Sequence, residues 1–198
     1  MGYELDEHRH RFSVWAAARA TQRGLCDVVT LREALENCGV VAFLRGADLN
    51  SVGASEFDKC HREWCRSIVR FLKEQGLADA SFGHAAKLLA MYLKSMVVLG
   101  PASQTSLAHV AHPPIDGILL SAISSSREIE CGHRHAWAKI KWTQLHEAAY
   151  YRLIEELRSC AAADEPFWRL ERFWTVTRAK APNFAVHRTG ARVARSGR

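Results

Sequence analysis

Apolar residues recur at intervals of three and four along most of the chain, which is the spacing of amphipathic α-helices. The first predicted helix carries one stripe made of Leu5, His8, Phe12, Trp15 and Arg19. A second helix is predicted over residues 31–38 with Thr30 as its cap, and a third runs from about Phe57 to Gly76. Residues 43–55, rich in glycine, aspartate and asparagine, are typical of a loop.

A strongly apolar fourth helix is predicted to begin at Phe82, with the Ser81 side chain as its N-cap. Pro113 and Pro114 are expected in the first turn of the next helix, which would hold Asp116 near its third position. Two later helices are predicted over residues 141–159 and 165–175. Because no alternating strand pattern and no internal repeat occurs, we predict an all-α fold.

Length and composition fit a globular protein of modest size. With 198 residues, 48% hydrophobic and 24% charged, the chain can build one core, or two small ones that share a cleft. We expect a single helical domain over residues 1–174. No apolar run reaches the roughly 20 residues that span a bilayer, and the acidic start lacks a signal-peptide core. These features predict a cytoplasmic protein whose six cysteines remain thiols. We further expect a monomer that is associated with the nucleoid.

The positive charge is concentrated at the C-terminus. The net charge is +6, no acidic residue follows Glu171, and six of the 27 cations lie within residues 175–198. The remainder is formally neutral, with 21 basic and 21 acidic residues. A basic tail on a neutral body suits contacts with nucleic-acid phosphates, and Arg178 and Lys180 are our candidates for them. A solvated terminus explains the same composition equally well.

Lys87 carries the most informative chemistry in the sequence. It lies about one and a half turns into the apolar helix, and an amine in that setting is costly to keep charged. Such an amine tends to lose its proton and to act as a nucleophile. Asp116, near the start of its own helix, could accept a proton or stabilise positive charge that develops on a sugar. Lys94, seven residues further on, is the alternative nucleophile.

Two structural explanations compete with a catalytic pair. A lysine in an apolar helix often extends its amine to the surface, and an aspartate after two prolines is often a helix cap. The turn before the Lys87 helix adds a binding feature, because helix–hairpin–helix units present backbone N–H groups to a DNA phosphate at such a turn. We place those phosphate contacts at Gly76, Ser81 and His84.

The run Phe82-Gly-His-Ala-Ala-Lys87-Leu-Leu-Ala-Met-Tyr92, followed by Pro113-Pro-Ile-Asp116, resembles the catalytic core of the archaeal 8-oxoguanine DNA glycosylases. These are a branch of the helix–hairpin–helix glycosylases, and related bacterial proteins include some linked to defence against phages with modified DNA. The resemblance covers residues 76–120, roughly, and implies that Lys87 forms the Schiff base with Asp116 as its partner. The chain departs from the family pattern at the hairpin, which contains one glycine, Gly76, in place of a Gly-x-Gly turn.

The resemblance implies excision of a modified or oxidised base from double-stranded DNA, with accompanying lyase chemistry and no cofactor. Glycosylases extrude the target nucleotide and hold its base among aromatic side chains. Trp15, Arg19 and Trp174 are the candidates for that base pocket, and six tryptophans that merely fill a helical core are the competing explanation. We assign residues 57–126, roughly, to the hairpin and catalytic helices.

The sequence is also compatible with functions other than base excision. The segment Cys131-Gly-His133-Arg-His135 lacks the paired spacing of zinc sites, so we predict a polar loop and no metal. A non-catalytic nucleic-acid-binding protein that uses the hairpin and the tail is the main alternative to an enzyme. A helical partner protein without nucleic-acid chemistry is a further one. Lys87 discriminates between enzyme and binder, because a binder gains nothing from an amine buried in an apolar helix.

Overall fold

The computed structural model describes residues 3–22, 24–129, 131–132, 134–161 and 164–174, and no strand occurs among them. The predicted all-α class is confirmed. The α-helices are α1 (Leu5–Thr21), α2 (Val28–Asn37), α3 (Val40–Gly46), α4 (Ala54–Glu74), α5 (Phe82–Leu93), α6 (Ser106–Val110), α7 (Gly117–Ser125), α8 (Arg134–Trp137) and α9 (Glu147–Cys160). A π-helical turn, Lys94–Val98, continues α5, and two 3-10 segments cover Trp142–Gln144 and Phe167–Phe173.

Several predicted boundaries were wrong, each for a local reason. The second helix begins earlier than expected, because the Asp27 carboxylate accepts the Thr30 N–H at 2.9 Å and acts as the cap. Part of the predicted loop over residues 43–55 is helical, since α3 starts after Gly39, whose φ of +102° allows the sharp reversal. The helix predicted over residues 141–159 is interrupted, and the His146 side chain caps α9 instead.

The fold is organised around α5, which packs against α1, α2, α4, α9 and the Trp142–Gln144 segment. All but one of its residues are buried. The first helix meets it through small side chains such as Ala17 and Ala18, whereas the bulky Phe12 and Trp15 of the predicted stripe face outward. Small residues at this contact allow the two helix backbones to approach closely.

Gly83 allows an equally close approach on another side of α5. A Cβ atom at this position would lie 1.9 Å from the backbone oxygen of Trp142. The Gly83 N–H also donates a hydrogen bond to the Leu145 oxygen at 3.0 Å. The absence of a side chain therefore brings the Trp142–Gln144 segment directly against the start of α5.

A buried polar cluster ties the segment before α7 to α4 and α9. His112 contacts the Tyr150 hydroxyl through Nδ1 at 3.0 Å and the Asp58 carboxylate through Nε2 at 2.9 Å. Arg158 donates two hydrogen bonds to the same carboxylate, at 2.6 and 2.8 Å. The His61 ring lies 4.5 Å from that of His112, centroid to centroid. These bonds hold the non-helical residues 111–116 in place, and so position Asp116.

No helix in the described part of the chain combines the length and the apolar character needed to cross a bilayer.

Gly83→Ala should lower the free energy of unfolding by about 1–3 kcal/mol or more, because the new methyl group must displace the Trp142 backbone. Gly46→Ala is the matched control, since a Cβ there meets nothing within 4 Å. Urea unfolding of both variants measures the difference. Equal stability of the two would contradict the close approach.

The buried histidines should make the protein less stable in mild acid. Burial lowers the pKa of both His61 and His112, and the Arg158 guanidinium lowers both pKa values further. The Asp58 carboxylate raises them, but by less. In the unfolded chain a histidine pKa lies near about 6.5, so below that pH the unfolded state binds more protons. As the pH is lowered below about 6.5, the free energy of unfolding should decrease by up to about 1.4 kcal/mol per pH unit for each histidine.

Urea unfolding at several values between pH 7.5 and about 5 measures this slope. The Asp58 carboxylate, whose pKa lies below its ordinary value, loses its contribution only at lower pH. His112→Asn should make the slope shallower. An unchanged stability of the wild type across this range would show that the two rings are not held uncharged in the folded state.

Candidate active site

Lys87 reaches the interior from the middle of α5 and is 4% exposed. The helix begins where the sequence predicts. The Ser81 hydroxyl accepts the His84 N–H at 3.2 Å, and the His84 ring accepts the Ser81 N–H at 3.3 Å, so the first turn is capped reciprocally. The capped start and the buried flanks of α5 fix the position from which the amine extends.

Asp116 lies opposite, at 3% exposure, with its Oδ2 atom 3.1 Å from the Lys87 Nζ atom. It is the N-cap of α7 rather than a residue inside that helix, so the predicted third position was wrong. Its Oδ1 atom accepts the N–H groups of Ile118 and Leu119 at 3.0 and 2.9 Å. One carboxylate oxygen is thus used for the cap and the other faces the amine.

The Asp116 carboxyl is held in its ionised form. Burial raises its pKa, but the hydrogen bond from Leu119 and the nearby Lys87 ammonium lower it more, with help from the Trp174 indole. The pKa of Asp116 therefore lies below its ordinary value. A carboxylate in this state offers a fixed negative charge to a group that becomes positive nearby.

Two tryptophans complete the surroundings of the pair. The Lys87 amine lies 4.5 Å from the ring centroid of Trp142, within cation–π range. The Trp174 Nε1–H donates to Asp116 Oδ2 at 3.3 Å. No sequence pattern indicates Trp142 as a site residue, because its ring lies beside the amine only where the Trp142 backbone packs against Gly83 in the folded protein.

The pair opens onto a cavity of about 330 Å³. Its walls come from α1, from α5 and the π-helical turn that continues it, from the start of α7 with the segment before it, and from the 3-10 segment Phe167–Phe173 with the residue that follows. The lining residues are Arg19, Ala20, Lys87, Met91, Lys94, Pro114, Asp116, Ile118, Glu171 and Trp174. The size lies at the lower end of the range of small-molecule sites, about 300–1,000 Å³. Four of the predicted site residues, Lys87, Asp116, Arg19 and Trp174, therefore meet at one cavity.

A second ion pair, Lys94 with Glu171, lies on the same cavity wall. Burial raises the pKa of Glu171 above its ordinary value, although its hydrogen bond with the Lys94 ammonium lowers it. The sequence marks Glu171 only as the last acidic residue before the basic tail. The two residues are 77 positions apart in the chain, so nothing in the sequence predicts their pairing.

Trp15 is not part of this cavity. Its side chain is 54% exposed and lines a different surface cavity beside Arg11 and Arg32, although Arg19 on the next turn does reach the site. Helical spacing placed the two residues on one stripe, but the cavity opens only at the end of α1. Two further candidates, Arg178 and Lys180, lie outside the described residues.

The turn between α4 and α5 borders another cavity, of about 710 Å³. Gly76 has a φ of +84°, a conformation that favours glycine, and it lines this cavity together with Ser81 and His84. The three candidate phosphate contacts thus share one surface. His84 precedes Lys87 by one helical turn, so this surface lies next to the cavity of Lys87 and Asp116 along α5.

Within the described ranges, no three histidine, cysteine or acidic side chains are grouped so that they could hold a metal ion.

Comparisons with known proteins give no identification: no family model, no curated protein and no solved structure matches the chain.

Asp116→Asn should destabilise the protein by about 3 kcal/mol or more, because it removes the carboxylate charge beside the buried Lys87 ammonium. Asparagine can still cap α7, so the loss isolates the charge from the cap. Lys87→Met combined with Asp116→Asn should recover much of that stability, since neither charge then remains. Urea unfolding of the wild type and of both variants tests this. A loss within about 0.5 kcal/mol in Asp116→Asn would show that the ion pair contributes nothing.

Proposed function

We propose that this chain is a DNA glycosylase that removes a modified or oxidised base through a Schiff base on Lys87, assisted by Asp116. The observation that carries the proposal is the 3.1 Å contact between the two side chains, both about 5% exposed, on the wall of a cavity. The same Schiff base would support strand cleavage at the resulting abasic site. Both repair of damaged DNA and defence against phages with modified bases are consistent with this chemistry.

The proposed reaction uses each group in a defined way. Lys87 attacks the anomeric carbon as a neutral amine, so its ammonium must first give up a proton, which passes to solvent. Asp116 remains ionised within hydrogen-bond reach of the amine. The bond from carbon to the base breaks, and its electron pair leaves with the base. During this step the Asp116 carboxylate stabilises the positive charge that develops on the sugar. Ring opening then gives the imine.

The surroundings of the pair support the proposal in a further way. An extruded base needs an apolar surface on which to stack and polar groups that hold its edge. Trp174 offers an aromatic ring, and Arg19, Lys94 and Glu171 offer polar groups, within the cavity that also contains Lys87. Gly76, Ser81 and His84, at the hairpin, lie on an adjoining surface where a DNA phosphate would fix the strand.

The sequence resemblance to the archaeal 8-oxoguanine glycosylases supports the same assignment of Lys87 and Asp116. It includes α5, which carries Lys87, and the start of α7, where Asp116 is the N-cap. The single glycine of the hairpin departs from that family. Oxidised guanine is accordingly the first base to be tested.

A non-catalytic DNA-binding protein is the second candidate. The observation that favours it is the double use of Asp116, which caps α7 and pairs with Lys87, as a purely structural residue would. In that case the ion pair only ties α5 to α7, and the hairpin surface carries the binding. The two candidates differ in whether a covalent intermediate forms.

Borohydride reduction should trap the wild-type protein on a duplex oligonucleotide that carries 8-oxoguanine or a preformed abasic site. Lys87→Ala should abolish the adduct, because no other amine is expected to form the imine. Lys139→Ala is the matched control, since Lys139 is exposed and lies away from the cavity. Circular dichroism establishes that each variant is folded.

Two results would change the assignment. An adduct that survives Lys87→Ala and is lost in Lys94→Ala would make Lys94 the nucleophile. Absence of an adduct with either oligonucleotide and with a panel of other modified bases, together with salt-sensitive binding to duplex DNA, would favour the non-catalytic binder.

A further inference from the structure

Glu171 is a second carboxyl in the cavity, and it takes no part in the reaction steps of Lys87 and Asp116. It belongs to the 3-10 segment Phe167–Phe173, and its side chain is 14% exposed. Its Oε2 atom accepts a hydrogen bond from the Lys94 amine. Among the described residues that line this cavity, Asp116 and Glu171 are the two carboxylic acids.

The two carboxyls have different partners. The charged groups that share the cavity with Glu171 come from four other elements: Arg19 from α1, Lys87 from α5, Lys94 from the π-helical turn, and Asp116 at the start of α7. Burial raises the pKa of Glu171, the Lys94 ammonium lowers it, and the Asp116 carboxylate raises it again. Among the described residues, no backbone N–H group is bound to the Glu171 carboxyl, whereas Asp116 accepts two.

Opposite environments for two carboxyls in one site are the pattern by which enzymes divide acid and electrostatic roles. Asp116 stays ionised, whereas Glu171 retains a proton to higher pH than an ordinary glutamate. The departing base needs a proton donor, because a base that leaves as an anion is a poor leaving group. An arginine guanidinium is not a proton donor of this kind, and Lys87 acts as the nucleophile.

We infer that Glu171 is the general acid that protonates the departing base, an assignment that rests on the proposed glycosylase function. The Glu171 O–H bond breaks and an N–H bond forms on the base, as the carbon–nitrogen bond to the sugar breaks and its electron pair moves onto the base. Lys87 supplies the new bond to the anomeric carbon. Solvent then returns a proton to Glu171, so no further reactant is consumed.

The test separates loss of the base from the later steps at the sugar. Glu171→Gln should release 8-oxoguanine from duplex DNA about 100- to 10,000-fold more slowly in single-turnover measurements, the usual range for general acid catalysis. On a duplex with a preformed abasic site no base departs, so borohydride trapping through Lys87 should change far less. Glu165→Gln, in the neighbouring part of the chain where Glu165 pairs with Arg169, is the control for both assays.

The pH profile provides a readout that a structural role would not change. Because Glu171 acts in its protonated form, wild-type base release should decline as pH rises through the pKa of Glu171, and Glu171→Gln should lack this decline. Lys94→Met should move the decline to higher pH, since it removes the ammonium that lowers the pKa of Glu171.

The outcomes distinguish the two levels of the proposal. If the wild type releases 8-oxoguanine and Glu171→Gln does so at the same rate, the general-acid role is wrong and the glycosylase function stands. An equal loss of base release and of trapping at the abasic site would make Glu171 a structural residue. If the wild type releases no base from 8-oxoguanine DNA or from a panel of other modified duplexes, the glycosylase function fails, and the role of Glu171 fails with it.

Discussion

The ion pair between Lys87 and Asp116 is the constraint on which this part of the molecule depends. Removing two charges from water costs several kcal/mol per ion, and a pair of apolar side chains would often be as stable. The fold offsets the cost with the N–H groups of Ile118 and Leu119 and with the ring of Trp142. A pair that is expensive to bury, and that faces a cavity, points to chemistry more than to stability.

The geometry of the pair comes from packing at some distance from it. Gly83 lets the backbone at Trp142 lie against α5, and this contact brings the indole beneath the amine. The bonds of His112 to Asp58 and Tyr150 hold the segment that ends at Asp116. Each partner of the ion pair is therefore positioned by a different buried contact. The separation between them is set by the core and not by either helix alone.

Local sequence signals predicted part of this arrangement. The Ser81 cap and the apolar helix after it follow from short-range patterns, because the residues concerned lie close together in the chain. The contact between Lys87 and Asp116, 29 positions apart, was expected from the family resemblance. The cap formed by Asp116 was the competing explanation, and the expected third position in the helix was wrong because the two prolines lie before the helix and not in its first turn. Trp142 and the contact between Lys94 and Glu171 depend on chain segments that meet only in the folded protein, so no local pattern could predict them. Trp15 does not line the cavity of Lys87 and Asp116. Helical spacing shows which residues share a face of α1, but it does not show where along that face a cavity lies.

The four charged side chains of the two ion pairs allow the proposed reaction to proceed without a change in the net charge of the site. With both pairs ionised, Lys87, Lys94, Asp116 and Glu171 sum to zero, apart from the cation of Arg19. Attack requires a neutral Lys87, and base departure requires a protonated Glu171. Moving one proton from the amine to Glu171 satisfies both requirements and leaves the sum unchanged, so the reactive state carries no extra buried charge. In that state the Asp116 carboxylate would stabilise the cation that develops on the sugar. The Lys94 ammonium, which contacts Glu171, would stabilise the negative charge that develops on the departing base.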